Sequence, residues 1–145
     1  MPNFYEFKEH PADIQVHAVG NTLEEAIEQV VIGMMDIMTS VETVDTKISK
    51  QIKASAPDLE MLVVDYLTEY LFFFDTEQLL FSKVKVSPIE FDEHTQTYQL
   101  NSVSNGESFD SSRHEMKTEI KAVTYSFLEI QQKKEKSEIW IIFDL

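Results

Sequence analysis

The chain has 145 residues, 43% of them hydrophobic, a length and content that suit a single domain spanning 1–145 with its own core. Its 26 acidic side chains against 12 basic ones leave a net charge of −14, and Arg113 is the only arginine. That balance argues against tight, direct binding of nucleic acid or of an anionic membrane surface, which need clustered cations, and favours a basic protein partner or a cation; the alternative is that the acidic charge serves solubility alone.

In chain order, residues 4 to 8 and 14 to 19 read as two short strands, the second with Ile14, Val16 and Ala18 alternating with Gln15 and His17. A helix follows, opened by Thr22 and Glu25 at capping-box spacing and carrying Leu23, Ala26, Ile27, Val30, Met34, Met38 and Val41 as one apolar stripe to about residue 42. Residues 46 to 54 alternate again as a half-buried strand, with Ile48, Ile52 and Ala54 on one face. After Pro57 and Asp58, a second and more apolar helix runs from Leu59 through Tyr66 and Tyr70 to Phe74 and is expected to lie centrally. From there the reading is β, around 82 to 91, 97 to 104, 118 to 130 and 138 to 144, with turns at DEHT, SNGE and QQKKEKSE. The expectation is an α+β fold in which two helices pack on one face of a mainly antiparallel β-sheet.

No cysteine is present, so disulfides, thiolate metal sites and thiol nucleophiles are out, which fits a reducing cytoplasm. No run of about 18 apolar residues marks a membrane span, and the charged start MPNFYEFKEHPADIQ lacks the apolar stretch of a signal peptide. Nucleotide-binding and hydrolase signatures such as GxxxxGK[ST], GxGxxG and GxSxG are absent, and His10, His17, His94 and His114 have no metal-ligand spacing. His17 is expected in solvent and His94 has no role in this reading. Met34, Met35 and Met38 are read as core rather than as an adaptable binding face.

Two carboxylates draw more interest. Asp13, in HPADIQVHAVG, begins a strand after Pro11, which keeps His10 extended. At the other end, EIWIIFDL sets Asp144 beside the carboxyl group of Leu145 at the lip of an apolar strand, an arrangement that a cation would relieve. The alternatives are a turn residue at Asp13 and a solvent-facing strand end at Asp144. The pair matters only if the first and last strands are neighbours. Elsewhere, Arg113, His114, Lys117 and Lys121 gather positive charge in an acidic chain, as a patch for a phosphate or an acidic partner or as a solvated loop.

Taken together, HPADIQVHAVGNTLEEAIEQ, DLEMLVVDYLTEYLFFFDTEQLLFS, GESFDSSRHEMKTEIKAVTY and the terminal IIFDL resemble the archease family in the same order over nearly the whole chain. The resemblance implies a small cytoplasmic accessory protein, not itself an enzyme, that activates the RtcB-type RNA ligase of tRNA splicing and RNA repair. It would promote guanylylation and repeated turnover of that ligase and widen its nucleotide use. The resemblance also implies a calcium site whose ligands, carried over by motif, are Asp13, Asp144 and Leu145; oxygen ligands leave Mg2+ or Mn2+ open as well. The chain departs from the family pattern at Pro11, a common Thr, at Gln15, a common Gly, and at Ser126, a common His. Two other classes remain: a metal-dependent hydrolase using Asp13 and Asp144, and a chaperone-like module with exposed apolar surface.

Overall fold

A computed structural model describes residues 2–10 and 12–145, the side chains of residues 8–10 excepted. Eight strands and two helices follow one another as β1 (Phe4–His10), β2 (Asp13–Gly20), α1 (Leu23–Met38), β3 (Ile48–Ala56), α2 (Leu59–Glu77), β4 (Leu79–Val86), β5 (Glu90–Asp92), β6 (Thr97–Ser108), β7 (Ala122–Lys133) and β8 (Lys136–Asp144). All strand pairings are antiparallel. The α+β class therefore holds. The strands divide into two sheets, one ordered β1-β2-β8-β7 and one ordered β3-β6-β4 with β5 also on β6. Each helix touches both: α1 packs on β1, β2 and β8 of the first sheet and on β4 of the second, and α2 packs on β7 and on β3, β4 and β6.

This placement reverses the expected roles of the helices. Ten of the sixteen residues of α1 are buried, against six of the nineteen in α2, so the first helix is the central one. Apolar neighbours on two sides explain why α1 is buried beyond a single stripe, with Ile27, Val30, Val31, Met34 and Met35 fully enclosed. Each such aliphatic side chain contributes on the order of 1.5–3 kcal/mol on burial. The methionines of α1 are core, as read. The second helix, α2, is no more apolar than α1 and leaves Phe72 54% exposed.

Local chemistry sets the element ends. Thr22 Oγ1 accepts from the Glu25 N–H at 3.1 Å, and Glu25 Oε2 accepts from the Asn21 N–H at 3.1 Å, which completes the cap of α1. Asp58 Oδ1 accepts from the Met61 N–H at 2.7 Å at the start of α2. The first helix stops at Met38, not near 42, because Thr39 turns extended and Asp36 Oδ1 takes the Val41 N–H at 3.2 Å. The apolar run expected as one strand over 82 to 91 breaks into β4 and β5 around Pro88, which has no N–H for a ladder. There α1 supplies the partners: Glu28 Oε2 takes the Val86 N–H and Glu24 Oε2 the Ile89 N–H, at 2.8 and 2.7 Å.

SNGE is not a turn. It lies within β6, and a Cβ on Gly106 would stand 1.8 Å from the Leu80 carbonyl oxygen on β4. Glycine is needed there for the close approach of two backbones rather than for a reversal. Inside the second sheet's contact with α2, the hydroxyls of Tyr66 and Tyr70 bond each other at 2.6 Å and reach Ser102 and Ser104 of β6 at 2.7 and 2.6 Å. Burial pushes both phenols above their ordinary pKa, so they stay neutral hydrogen-bonding groups in the core.

Candidate metal centre

The strands that carry the two aspartates are neighbours, with β2 paired to β8 so that Asp13 and Asp144 are direct register partners. The Leu145 N–H donates to the Ala12 carbonyl at 3.1 Å. With a hydrogen-bonded pair at 12 and 145, Asp13 and Asp144 form the adjoining pair without ladder bonds, the type whose side chains approach more closely. Directly opposed residues share a face of the sheet, so the two aspartate side chains stand on the same face. On the other side of β8, the Lys121 N–H donates to the Asp144 carbonyl at 2.7 Å and fixes the strand end.

The two carboxylates differ in setting. Asp144 is exposed, whereas Asp13 is half-buried and its Oδ1 is shut off from solvent with no hydrogen-bond partner. A buried, unsatisfied carboxylate oxygen carries a desolvation cost of about 1–3 kcal/mol or more, which a cation would offset. Leu145 is half-buried and packs against the core. The donor set is all oxygen, as a hard divalent cation requires. Among the described residues no three His, Asp or Glu side chains gather as a ready ligand set.

Other candidates change character in the structure. His17 is not free in solvent: its Nδ1 lies 2.7 Å from Glu6 Oε2, its Nε2 lies 3.0 Å from Glu138 Oε1, and its ring stacks on Trp140 with centroids 4.5 Å apart. Register explains the cluster, since Glu6, His17 and Trp140 are successive cross-strand partners on the face turned away from the helices. His10 is extended, as read, while Pro11 and the His10 side chain lie outside the described residues. His94 stands exposed in its turn.

The basic patch is neutralised from within. Arg113 grips Glu107 with both terminal nitrogens and also reaches Asp45 at 3.5 Å and the Thr43 carbonyl at 3.4 Å. His114 is buried; its Nδ1 accepts from the Asp110 N–H at 2.9 Å, which places the ring hydrogen on Nε2, facing Glu107 at 3.0 Å. Burial pushes the Glu107 carboxyl upward, and the Asp45 N–H, His114 and Arg113 together outweigh it, so the group is held below the usual glutamate range. Lys117 Nζ donates to the Asp36 carbonyl at 2.8 Å. Arg113, His114 and Lys117 therefore tie the 107–117 segment to the body of the protein, and Lys121 alone of the four is not engaged in these ties. The signal for this was in GESFD: an acidic residue six positions before the only arginine.

A largely apolar cavity of about 310 Å3, lined by Met38, Leu71, Phe74, Met116 and Ile120 among others, shares no residue with the carboxylate corner. Among the described residues no helix is long and apolar enough to cross a membrane.

Fold and corner together define a small α+β protein with two antiparallel sheets and a pair of aspartates opposed across β2 and β8. The chain belongs to the archease family, whose pattern it matches over residues 5–145. It is 36% identical to the protein archease of Danio rerio over 97% of this chain and 85% of that one, and 34% identical to the protein archease of Methanosarcina acetivorans over 97% and 95%. The solution structure of Methanobacterium thermoautotrophicum protein 1598 superposes with a TM-score of 0.78 at 30% identity, covering 97% of this chain and 98% of that one. A Thermotoga maritima crystal structure, described as an archease and possible chaperone, shares the fold with a TM-score of 0.60 at 18% identity over 95% and 94%.

Proposed function

We propose that this protein is the cytoplasmic, non-catalytic activator of an RtcB-type RNA ligase, promoting its guanylylation and turnover and broadening its nucleotide use in tRNA splicing and RNA repair. The observation that carries the reading is family membership across residues 5–145. The charge of −14 agrees with it, because an accessory protein need not hold RNA when its partner supplies the basic groove.

In this reading Asp13, Asp144 and Leu145 hold a divalent cation, calcium first, with Mg2+ or Mn2+ as alternatives. The support is the direct opposition of two carboxylates and the unsatisfied buried Oδ1 of Asp13. A bound cation would supply positive charge where two carboxylates otherwise repel. The residues of the chain do the rest: the Ala12–Leu145 and Lys121–Asp144 backbone bonds set the strand end, and Leu145 packs against the core.

The test is to purify the chain with the ligase of the same organism and follow guanylylation and multiple-turnover joining. Substoichiometric protein should raise turnover, while the chain alone should neither join RNA nor bind GTP tightly. Joining that stays constant across a wide range of added protein overturns the assignment.

A further inference from the structure

Strand β7 is interrupted between Thr124 and Glu129. Thr124 pairs with Ile142 and Glu129 with Trp140, so Tyr125, Ser126, Phe127 and Leu128 bulge out opposite Ile141 alone. Phe127 sits in the bulge at φ 54° and is 83% exposed. Among the described residues the other non-glycine positions with positive φ are Gln78, at the end of α2, and Gln96 and Glu135, in turns. A bulky residue in the left-handed region is strained, and here no burial offsets the strain. Backbone strain of this kind clusters at functional sites such as ligand clamps and switch regions.

The surroundings indicate what would make contact. Phe127 and Gln15 together line two adjoining cavities of about 350 and 320 Å3 on the outer face of the first sheet, one reaching Trp140 and Glu129, the other Asp13 and Ile142. Among the described residues no basic side chain lines either one. Tyr125, 54% exposed at the other side of the bulge, is held above the ordinary phenol range by burial and then by Asp65 and Asp58 of the α2 region. Carboxylates thus neighbour both aromatic side chains, Glu129 and Asp13 beside Phe127 and Asp65 and Asp58 near Tyr125. A second copy of this chain, also at −14, would meet like charge, and a phosphate backbone would be repelled.

We propose that the β7 bulge is a docking element for a basic segment of the protein partner, with Phe127 as its apolar anchor and Glu129 and Asp65 facing lysine or arginine side chains. Cationic side chains pack on aromatic rings and pair with carboxylates at once, which suits this surface. The inference rests on the ligase-activator reading and names the surface by which that partner is held.

The experiment measures binding of the ligase from the same organism to the wild type, Phe127→Gly, Phe127→Asn and the double variant Glu129→Gln/Asp65→Asn, alongside thermal melts. Glycine and asparagine both tolerate the backbone at 127. Both variants should therefore melt at or above the wild type while losing about tenfold in affinity; a structural role for Phe127 would lower the melt instead and sink the proposal. Added salt should weaken the wild type more than the double variant. Wild-type affinity in both Phe127 variants overturns the docking element and leaves the activator reading intact if the wild type still raises ligase turnover. Failure of the wild type to bind the ligase overturns both, and self-association through Phe127 assigns the surface to a second copy.

Discussion

Asp144 faces Asp13 directly across the β2–β8 ladder, and the hydrogen bond from the Leu145 N–H to the Ala12 carbonyl sets them in the close-spaced pair. Two like charges in that position destabilise the ladder unless a cation joins them. Calcium at a hundredfold excess over its Kd should then raise the melting temperature of the wild type on the order of 8 °C. Asp13→Asn and Asp144→Asn should lose most of that rise, and without calcium Asp144→Asn should melt no lower than the wild type. A glycine added after Leu145 keeps its carbonyl and moves the terminal charge, so lost affinity assigns the carboxylate and retained affinity the carbonyl. Equal calcium affinity in all four proteins removes the site.

Arg113 was the natural choice for a partner-binding cation, and its contacts make it a structural one. Arg113→Glu would set a second negative charge against Glu107, whose side chain is 7% exposed. The expected loss of stability is about 2–4 kcal/mol by urea denaturation. A loss under ~0.5 kcal/mol with activation abolished would return Arg113 to the interface.

Glu107 also predicts acid sensitivity. Its folded pKa lies below the ordinary value of 4.5, so at low pH the unfolded chain binds the proton more readily than the folded one. The stability it contributes is full above pH 4.5 and falls as the pH drops through the folded value. Denaturation of the wild type and Glu107→Gln across this range should show the gap between them closing toward acid. A gap that widens there contradicts the assignment.

Gly106→Ala tests the close approach of β6 and β4. With a Cβ 1.8 Å from the Leu80 carbonyl oxygen, one strand must move, at a cost of about 3 kcal/mol or more. Hydrogen exchange should quicken along β4 and β6 before β2 and β8. A melt within ~1 °C of the wild type would mean that the strands part freely at this point.

Periodicity, caps and turns, all properties of near neighbours in the chain, determined the two helices, most of the strands and the α+β class. They also marked Asp13 and Asp144 as residues of interest, because a carboxylate at the lip of an apolar strand is visible in a few letters. What only the tertiary structure decided depends on partners far apart in the chain. Two sheets rather than one, and α1 rather than α2 at the centre, follow from which faces pack together. The same reason covers the misread details. SNGE has the composition of a turn, but Gly106 answers to Leu80 across the ladder; His17 alternates like an exposed residue, but Glu6 and Glu138 close on it; Arg113 is basic in sequence and spent on Glu107 in space. Local patterns report the chemistry a residue brings, and strand register, fixed by burial of whole faces, decides which other residue meets it.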